Sequence, residues 1–354
     1  MKPDLFGVTN SNRDFTQRET WGKNQFNSSF PASLVCYMAS KNLKLKYIKL
    51  NGNSEVAHDY LDPEELLGLK YNNPDLFFSF ESDYSPFQKL VVNNLPRIDL
   101  VTMNLKNGNC LKGIEIKLTA LPDSSTCHLV DDKFGCEIVV RPDTIVYMSL
   151  SIILSLKEDR KIFKDILKPL NKITDWSHGI NVVPYLPLMS QFVDKILSSR
   201  LEEQTPLILQ PVWKTNGKSQ VLSDNAFDAF VWSNFAFAQL FLKVVKSELK
   251  EDSDKITRQT RSVVWLVKML LDYANGNKIN YEKIIDELSY NTRNDKAFSV
   301  SGKVSYPFMK CQELTTPRIK RHEVKNIILG GGQNLLSPER RLDSIILNTP
   351  GLFN

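Results

Sequence analysis

No stretch of the 354-residue chain stays apolar for the about eighteen residues that a membrane-crossing helix needs. That excludes a helical membrane protein and leads us to expect a soluble one. No secretory leader is expected either, since Met1 to Arg18 is polar and rich in Asn, Thr and charge. A cytoplasmic bacterial protein is the expectation. Cysteine is scarce and odd in number: Cys36, Cys110, Cys127, Cys136 and Cys311 form no CxxC pair. Neither a zinc site nor a disulfide framework is expected, and free, mostly buried thiols are. The four histidines, His58, His128, His178 and His322, show no metal-ligand spacing. A nucleotide-binding glycine loop is missing too. The run Gly330-Gly331-Gly332-Gln333-Asn334 lacks the Lys-Ser/Thr of a P-loop and any preceding Rossmann pattern, and reads as a turn before a helix capped by Ser337 and Pro338. No internal repeat or low-complexity tract is visible. An excess of charge of one sign is also absent: 45 basic against 40 acidic residues leave +5, mildly basic rather than histone-like. A nucleic-acid binder would need a local positive face rather than a high total.

What is present is a core-forming composition. A chain this long with 42% hydrophobic residues can bury one large core or two closely packed lobes. The densest information lies between Leu95 and Asp123, LPRIDLVTMNLKNGNCLKGIEIKLTALPD. Two apolar runs flank Asn107-Gly108, a hairpin signal because both central positions of a type I′ turn need positive φ. Side chains alternate along a strand, so Glu115 and Lys117 share one face while Ile114, Ile116 and Leu118 share the other. If the strands pair antiparallel, Asp99 reaches the same end of that face.

Two carboxylates and an ammonium at one point suit phosphodiester hydrolysis. Carboxylates are hard oxygen ligands for Mg²⁺, which retains waters and takes a phosphate oxygen. The metal lowers the pKa of a bound water and neutralises charge at phosphorus. A lysine can orient that water or stabilise developing charge. The backbone carbonyl of Ile116, between the two side chains, is a further candidate ligand. The competing reading is that Glu-x-Lys is merely the solvated face of a strand. The apolar flanks favour a core sheet instead.

The segments IEIKLTALPD and WGKNQFNSSFP (Trp21 to Pro31) resemble the HindVP-type family of type II restriction endonucleases, part of the PD-(D/E)xK nuclease superfamily. The resemblance is clearest over roughly residues 19 to 145. It implies an α/β fold, a restriction-endonuclease-like mixed central sheet flanked by helices, with a largely helical C-terminal half. By this resemblance Asp99 and Glu115 correspond to metal ligands and Lys117 to the catalytic lysine. The superfamily's Pro-Asp dipeptide is missing, because Pro96 lies three residues before Asp99. Related nucleases often add a Glu from a helix preceding the sheet, for which Glu19, Glu64 and Glu65 are the candidates. Lys23, Asn24 and Gln25 are candidates for contacts to DNA or metal-bound water. Thr119 and Asp123, just past Lys117, either contact DNA or cap the exit turn.

Along the chain, PASLVCYMASK from Pro31 reads as a short helix and residues 43 to 50 alternate as a strand. Residues 62 to 70 form a helix with Asp62 as N-cap and Pro63 at its first position. LFFSFES and CEIVVRP are strands, and Asp143 to Lys157 is a buried helix expected to pack behind the active site. A hairpin turns at Asn216-Gly217. Helical patterns cover Ser223 to Lys250 and Thr257 to Ala274, the second stopped by Asn275-Gly276-Asn277. The stripe Phe227, Phe230, Val231, Phe235, Phe237, Leu240, Phe241 is either a base-stacking platform or, by its helical spacing, core. Residues 1–178 are expected to form the nuclease core and 179–354 a mainly helical region packed on it as one unit.

Toward the end, TTPRIKRHEVK concentrates Arg318, Lys320, Arg321 and Lys325. Such clusters neutralise phosphates, and Arg also suits bidentate contact with guanine. Their commoner role is a solvated basic surface. The resemblance implies a Mg²⁺-dependent type II enzyme cutting double-stranded DNA at a short, GRCGYC-like site. It further implies a homodimer matching a palindrome and a cognate DNA methyltransferase as functional partner. The rival readings are a repair or structure-specific nuclease of the same fold, and a non-catalytic DNA-binding protein.

Overall fold

The computed structural model describes residues 8, 10–13, 32, 35–36, 39–40, 42, 44–50, 56–117, 137–198, 207–208, 213–216, 219–222, 230–233, 256–290 and 298–301, some of them, Lys117 included, as backbone only. β1 (Leu45–Leu50) and β2 (Val56–Leu61) form an antiparallel pair. A short helix, α1 (Pro63–Leu67), follows, with Pro63 in its first turn and Asp62 at the N-cap. Asp62 makes no side-chain capping bond there, so proline's fixed φ starts the helix without it. Gly68 ends it at φ +83°, a left-handed conformation open to glycine at little cost.

β3 (Leu76–Ser82), β4 (Ile98–Asn104) and β5 (Asn109–Lys117) then form an antiparallel meander. The four residues Leu105 to Gly108 turn the hairpin between the last two; Gly108 is at φ +70° but Asn107 is not at positive φ, so the expected type I′ turn gives way to a longer loop. β6 (Glu137–Val140) pairs instead with β11 (Phe298–Ser301). From the second half of the chain, β7 (Leu207–Ile208) and β10 (Phe230–Ser233) enter the main sheet, while β8 (Trp213–Asn216) and β9 (Ser219–Leu222) make a separate hairpin. The main sheet has seven strands in the order β2-β1-β7-β10-β5-β4-β3. All the strand pairings described within it are antiparallel, where a mixed sheet was expected. Its parallel component is a single bridge, from Ser11 to Phe78 on the outer side of β3.

One sequence expectation fails here. Phe230 to Ser233 is a strand inside the helix expected over Ser223 to Lys250. The run FVW is β-branched and aromatic, and pairing on both sides, with β5 and β7, outweighs the helical spacing of the surrounding aromatics. The flanking residues of that expected helix lie outside the described ones.

α2 (Pro142–Ser155) matches its expected span closely, and everything from Thr144 to Ile153 is buried; Thr144 reaches Glu115, so the helix packs on the carboxylate side of the sheet rather than behind it. A helix apolar on all sides must be covered on all sides. α5 (Arg258–Ala274) packs against both α2 and α3 (Arg160–Leu167), and Phe163, Val264, Trp265 and Met269 lie in the shared buried cluster, which α4 (Leu186–Ser198) and α6 (Tyr281–Glu287) complete. The indole of Trp265 donates to Leu288 O at 2.9 Å, so its polar atom is satisfied in the core. Thr257 caps α5 by accepting from Thr260 N, and Gly276 at φ +91° follows it, as the sequence suggested. Cys36 is buried and Cys110 half-buried, both as free thiols. Among the described residues no helix is long and apolar enough to cross a membrane.

Candidate active site

The strand register decides which side chains meet. Phe78 faces Thr102 and Phe80 faces Leu100, and directly opposed residues project from one side of a sheet. Leu100 faces Ile114 in turn. Phe80, Leu100 and Ile114 are all buried, so this side of the meander is apolar. Asp99 and Glu115 occupy the next rung, where alternation turns them to the opposite side. Glu81 stands opposite Asp99, between the pairs Phe80–Leu100 and Ser82–Ile98. Three neighbouring strands therefore contribute one carboxylate each to a single row.

The row is held by its surroundings. Ile116 N donates to Asp99 Oδ2 at 2.7 Å, so a side chain of β4 takes the place of a ladder carbonyl. Glu115 is buried, at 9% exposure, and its Oε1 accepts from Thr144 Oγ1 at 3.2 Å. Thr144 lies in the first turn of α2, so the helix end that carries unpaired N–H groups and partial positive charge is directed at the carboxylate. Tyr147, one turn further, donates to Pro96 O at 2.6 Å and accepts from Tyr84 N at 3.2 Å. It thereby ties α2 to the chain entering β4, and burial holds its phenol in the neutral form.

Glu81 has a left-handed backbone at φ 50°, uncommon for a residue with a side chain and found most often where a site constrains it. Burial raises its carboxyl above the ordinary 4.5; Arg13 opposes this, Glu115 adds to it, and Arg97 opposes it. Arg13 lies 3.7 Å from Glu81 Oε1. Burial lowers the Arg13 guanidinium to about 10 while Glu81 and Asp99 support its charge, so it stays protonated near neutrality.

The sequence-derived positions divide into three groups. Asp99 and Glu115 are brought side by side. Lys117 ends β5 two residues beyond Glu115, in register with Phe230. Glu64 and Glu65 are exposed on α1, with Glu64 3.9 Å from Lys70 Nζ. α1 touches the other side of the sheet, where Thr102 Oγ1 donates to Leu67 O at 2.8 Å. The structure therefore does not bring Glu64 or Glu65 to the carboxylate row. Glu19, Lys23, Asn24, Gln25, Thr119, Asp123, Arg318, Lys320, Arg321 and Lys325 lie outside the described residues. Sequence reasoning missed Thr144, Glu81, Arg13 and Arg97. Only Glu81 left a trace, as the acidic interruption of the alternating run LFFSFES.

The donor set suits a hard, well-hydrated cation. Among the described residues no three Asp, Glu, His or Cys side chains are grouped to hold a metal by themselves. Two carboxylates would leave the remaining positions to backbone, water and phosphate, the pattern Mg²⁺ favours over fully protein-built cages. Among the described residues no sulfur or imidazole joins this row that would select a softer ion.

Comparison with known proteins agrees with this chemistry. Residues 21–353 match the family model of the HindVP restriction endonuclease. The type II restriction enzyme HgiDI of Herpetosiphon aurantiacus is 46% identical over 353 residues, covering 99% of this chain and 97% of the relative. The probable type II restriction enzyme HindVP of Haemophilus influenzae is 45% identical over 353 residues, covering 100% of this chain and 96% of the relative. No solved structure matches. Matches of this extent define the class, that of site-specific deoxyribonucleases of the type II restriction kind. The chain belongs to the HindVP restriction endonuclease family.

Proposed function

We propose that this restriction enzyme hydrolyses phosphodiester bonds in double-stranded DNA at a short sequence, with Mg²⁺ as cofactor and with Asp99, Glu115 and Lys117 as its catalytic residues. The observation that carries the reading is the Asp99–Glu115 rung at the end of β4 and β5, held by Ile116 N and Thr144 Oγ1. Asp99 and Glu115 would hold the metal, which when bound supplies a water of lowered pKa and charge neutralisation at the phosphate. In an extended strand the N–H and C=O of one residue point to the same side. Ile116 directs its N–H to Asp99, so its carbonyl also faces that side and is the natural third oxygen. Lys117 would position the attacking water and stabilise charge on the phosphate oxygens. Thr144 keeps Glu115 oriented. No residue here is required to form a covalent intermediate.

The same reading extends to the DNA. Lys23, Asn24, Gln25, Thr119, Arg318, Lys320, Arg321 and Lys325 would contact the duplex, the basic cluster chiefly through phosphates. Family membership supports a reading with a GRCGYC-like site, a homodimer of two-fold symmetry, a cognate DNA methyltransferase and a cytoplasmic location. Residues 1–178 would form a restriction-endonuclease-like core on which 179–354 packs as one unit. The pairing of β10 with β5, the strand carrying Glu115, supports that arrangement.

Incubation with unmethylated phage DNA tests the reading directly. Discrete fragments that require Mg²⁺, vanish with EDTA and are lost in Lys117→Ala support it, and the fragment ends give the site. A smear would replace it with a repair-type nuclease. DNA binding without cleavage would overturn the catalytic assignment.

A further inference from the structure

The segment 10–13 runs along the outer edge of β3. Phe78 N donates to Asn10 O at 2.9 Å, and Asn12 N donates to Phe78 O at 3.3 Å. The side-chain amide of Asn12 then imitates a strand residue: its Nδ2 donates to Phe80 O and its Oδ1 accepts from Phe80 N, both at 2.9 Å. This fixes the next residue, Arg13, at the end of β3 where Glu81 meets Asp99. Its guanidinium carbon lies 4.4 Å from the centre of the Phe80 ring, and its side chain is 9% exposed. Arg13 also precedes the segment matched by the family model, which begins at residue 21.

A buried cation needs a reason, because its desolvation is costly unless charge of opposite sign offsets it. Here the offset is the carboxylate row. Glu81, Asp99 and Glu115 stand on one rung across three adjacent strands, where like charges repel at cross-strand spacing. Arg13 interacts attractively with both Glu81 and Asp99. The exposed Arg97 is the other cation acting on Glu81, and nothing buries it in place.

We propose that Arg13 is a positioning residue, an internal counter-cation that offsets repulsion among the three carboxylates when no divalent ion is bound and so sets the Mg²⁺ concentration the site requires. The inference rests on the reading of Asp99 and Glu115 as Mg²⁺ ligands. A fixed positive charge beside the ligands and an incoming cation compete for the same carboxylates. Removing the fixed charge destabilises the metal-free protein and makes the metal bind more tightly.

The test uses the full-length protein without DNA, following Mg²⁺ titrations by thermal melting and by calorimetry. Arg13→Met keeps an apolar stem over Phe80 and removes the charge, while Arg13→Lys keeps the charge. The expected result for Arg13→Met is a lower metal-free melting temperature, a larger rise on adding Mg²⁺, and half-saturation at a roughly tenfold lower concentration. Arg13→Lys should stay close to the wild type. A role confined to folding would lower the melting temperature equally with and without Mg²⁺ and leave half-saturation unmoved, which overturns the proposal. Should Arg13→Met not fold, Glu81→Gln removes one carboxylate and leaves Arg13 acting on Asp99, so half-saturation should rise; an unchanged value overturns the proposal. A wild-type protein with no Mg²⁺ response would instead sink the metal reading itself.

Discussion

Ile116 N donates a 2.7 Å hydrogen bond to Asp99 Oδ2, so one carboxylate of the site is held by the strand that carries the other. The bond links the side chain of one proposed metal ligand to the strand that carries the other. Asp99→Asn keeps a carbonyl oxygen for this bond and removes the charge. The melting temperature of the metal-free variant should therefore remain within a few degrees of the wild type, while cleavage falls by about a thousandfold or more. Asp99→Ala loses the bond as well and should cost a further ~1 kcal/mol of stability. Single-turnover cleavage and thermal melting check both. An Asp99→Asn protein that cuts DNA at more than about a tenth of the wild-type rate would show that the metal is held elsewhere.

Gly68 provides a stability test that should spare the chemistry. At φ +83° a side chain is strained, and an added Cβ would meet Leu111 Cβ at 2.9 Å on β5. Gly68→Ala should lose roughly 1–3 kcal/mol, read from urea unfolding. Because α1 sits across the sheet from the carboxylates, cleavage by the folded fraction should be little changed. A loss of specific activity in fully folded Gly68→Ala would mean that α1 contributes to the site after all.

Glu81 gives a pH dependence with a definite sign. Burial raises its carboxyl above 4.5 in the folded protein. A group raised in this way favours folding most when protonated, and that contribution is lost as pH climbs through the folded value. Glu81→Gln mimics the protonated form at every pH. Its melting temperature relative to the wild type should rise as pH increases from the ordinary carboxyl value of 4.5 through the raised folded one, and level off above it. A difference that shrinks over this interval would mean that the Arg13 pair outweighs the burial of Glu81.

The parts legible in the sequence were those specified locally. Alternation around Asn107-Gly108 placed Asp99 and Glu115 on one face, and the length and apolar density of 143–157 gave a buried helix. Asn275-Gly276 stopped α5 for a local reason, the left-handed backbone open to glycine at φ +91°. What could not be read depended on pairing over long separations. Phe230 to Ser233 sits in helical-looking sequence and becomes a strand because β5 and β7 lie on either side. Arg13 and Glu81 are 68 residues apart by number and meet only because segment 10–13 runs beside β3. Glu64 and Glu65 lie on a helix before the sheet, as the resemblance suggested, yet the sheet has two sides and α1 lies against the one that carries Thr102.

Thr144 shows how such a tertiary contact should register in kinetics. Its hydroxyl is the group from α2 that reaches Glu115, at 3.2 Å, and the helix around it is anchored independently by Tyr147 to Pro96. Thr144→Val keeps the shape and removes the donor, leaving a buried carboxylate oxygen without that bond. Loss of a group that orients a metal ligand typically costs about 10–100-fold in metal affinity or activity. The variant should therefore need more Mg²⁺ for half-maximal cleavage, with a smaller change in the concentration of DNA that half-saturates it. Thr144→Ser restores a hydroxyl at the same place and should recover most of the loss. Cleavage rates measured across a Mg²⁺ series decide the matter. If Thr144→Val and the wild type share one Mg²⁺ dependence, the bond to Glu115 is structural and the orientation of that carboxylate is set by the strand alone.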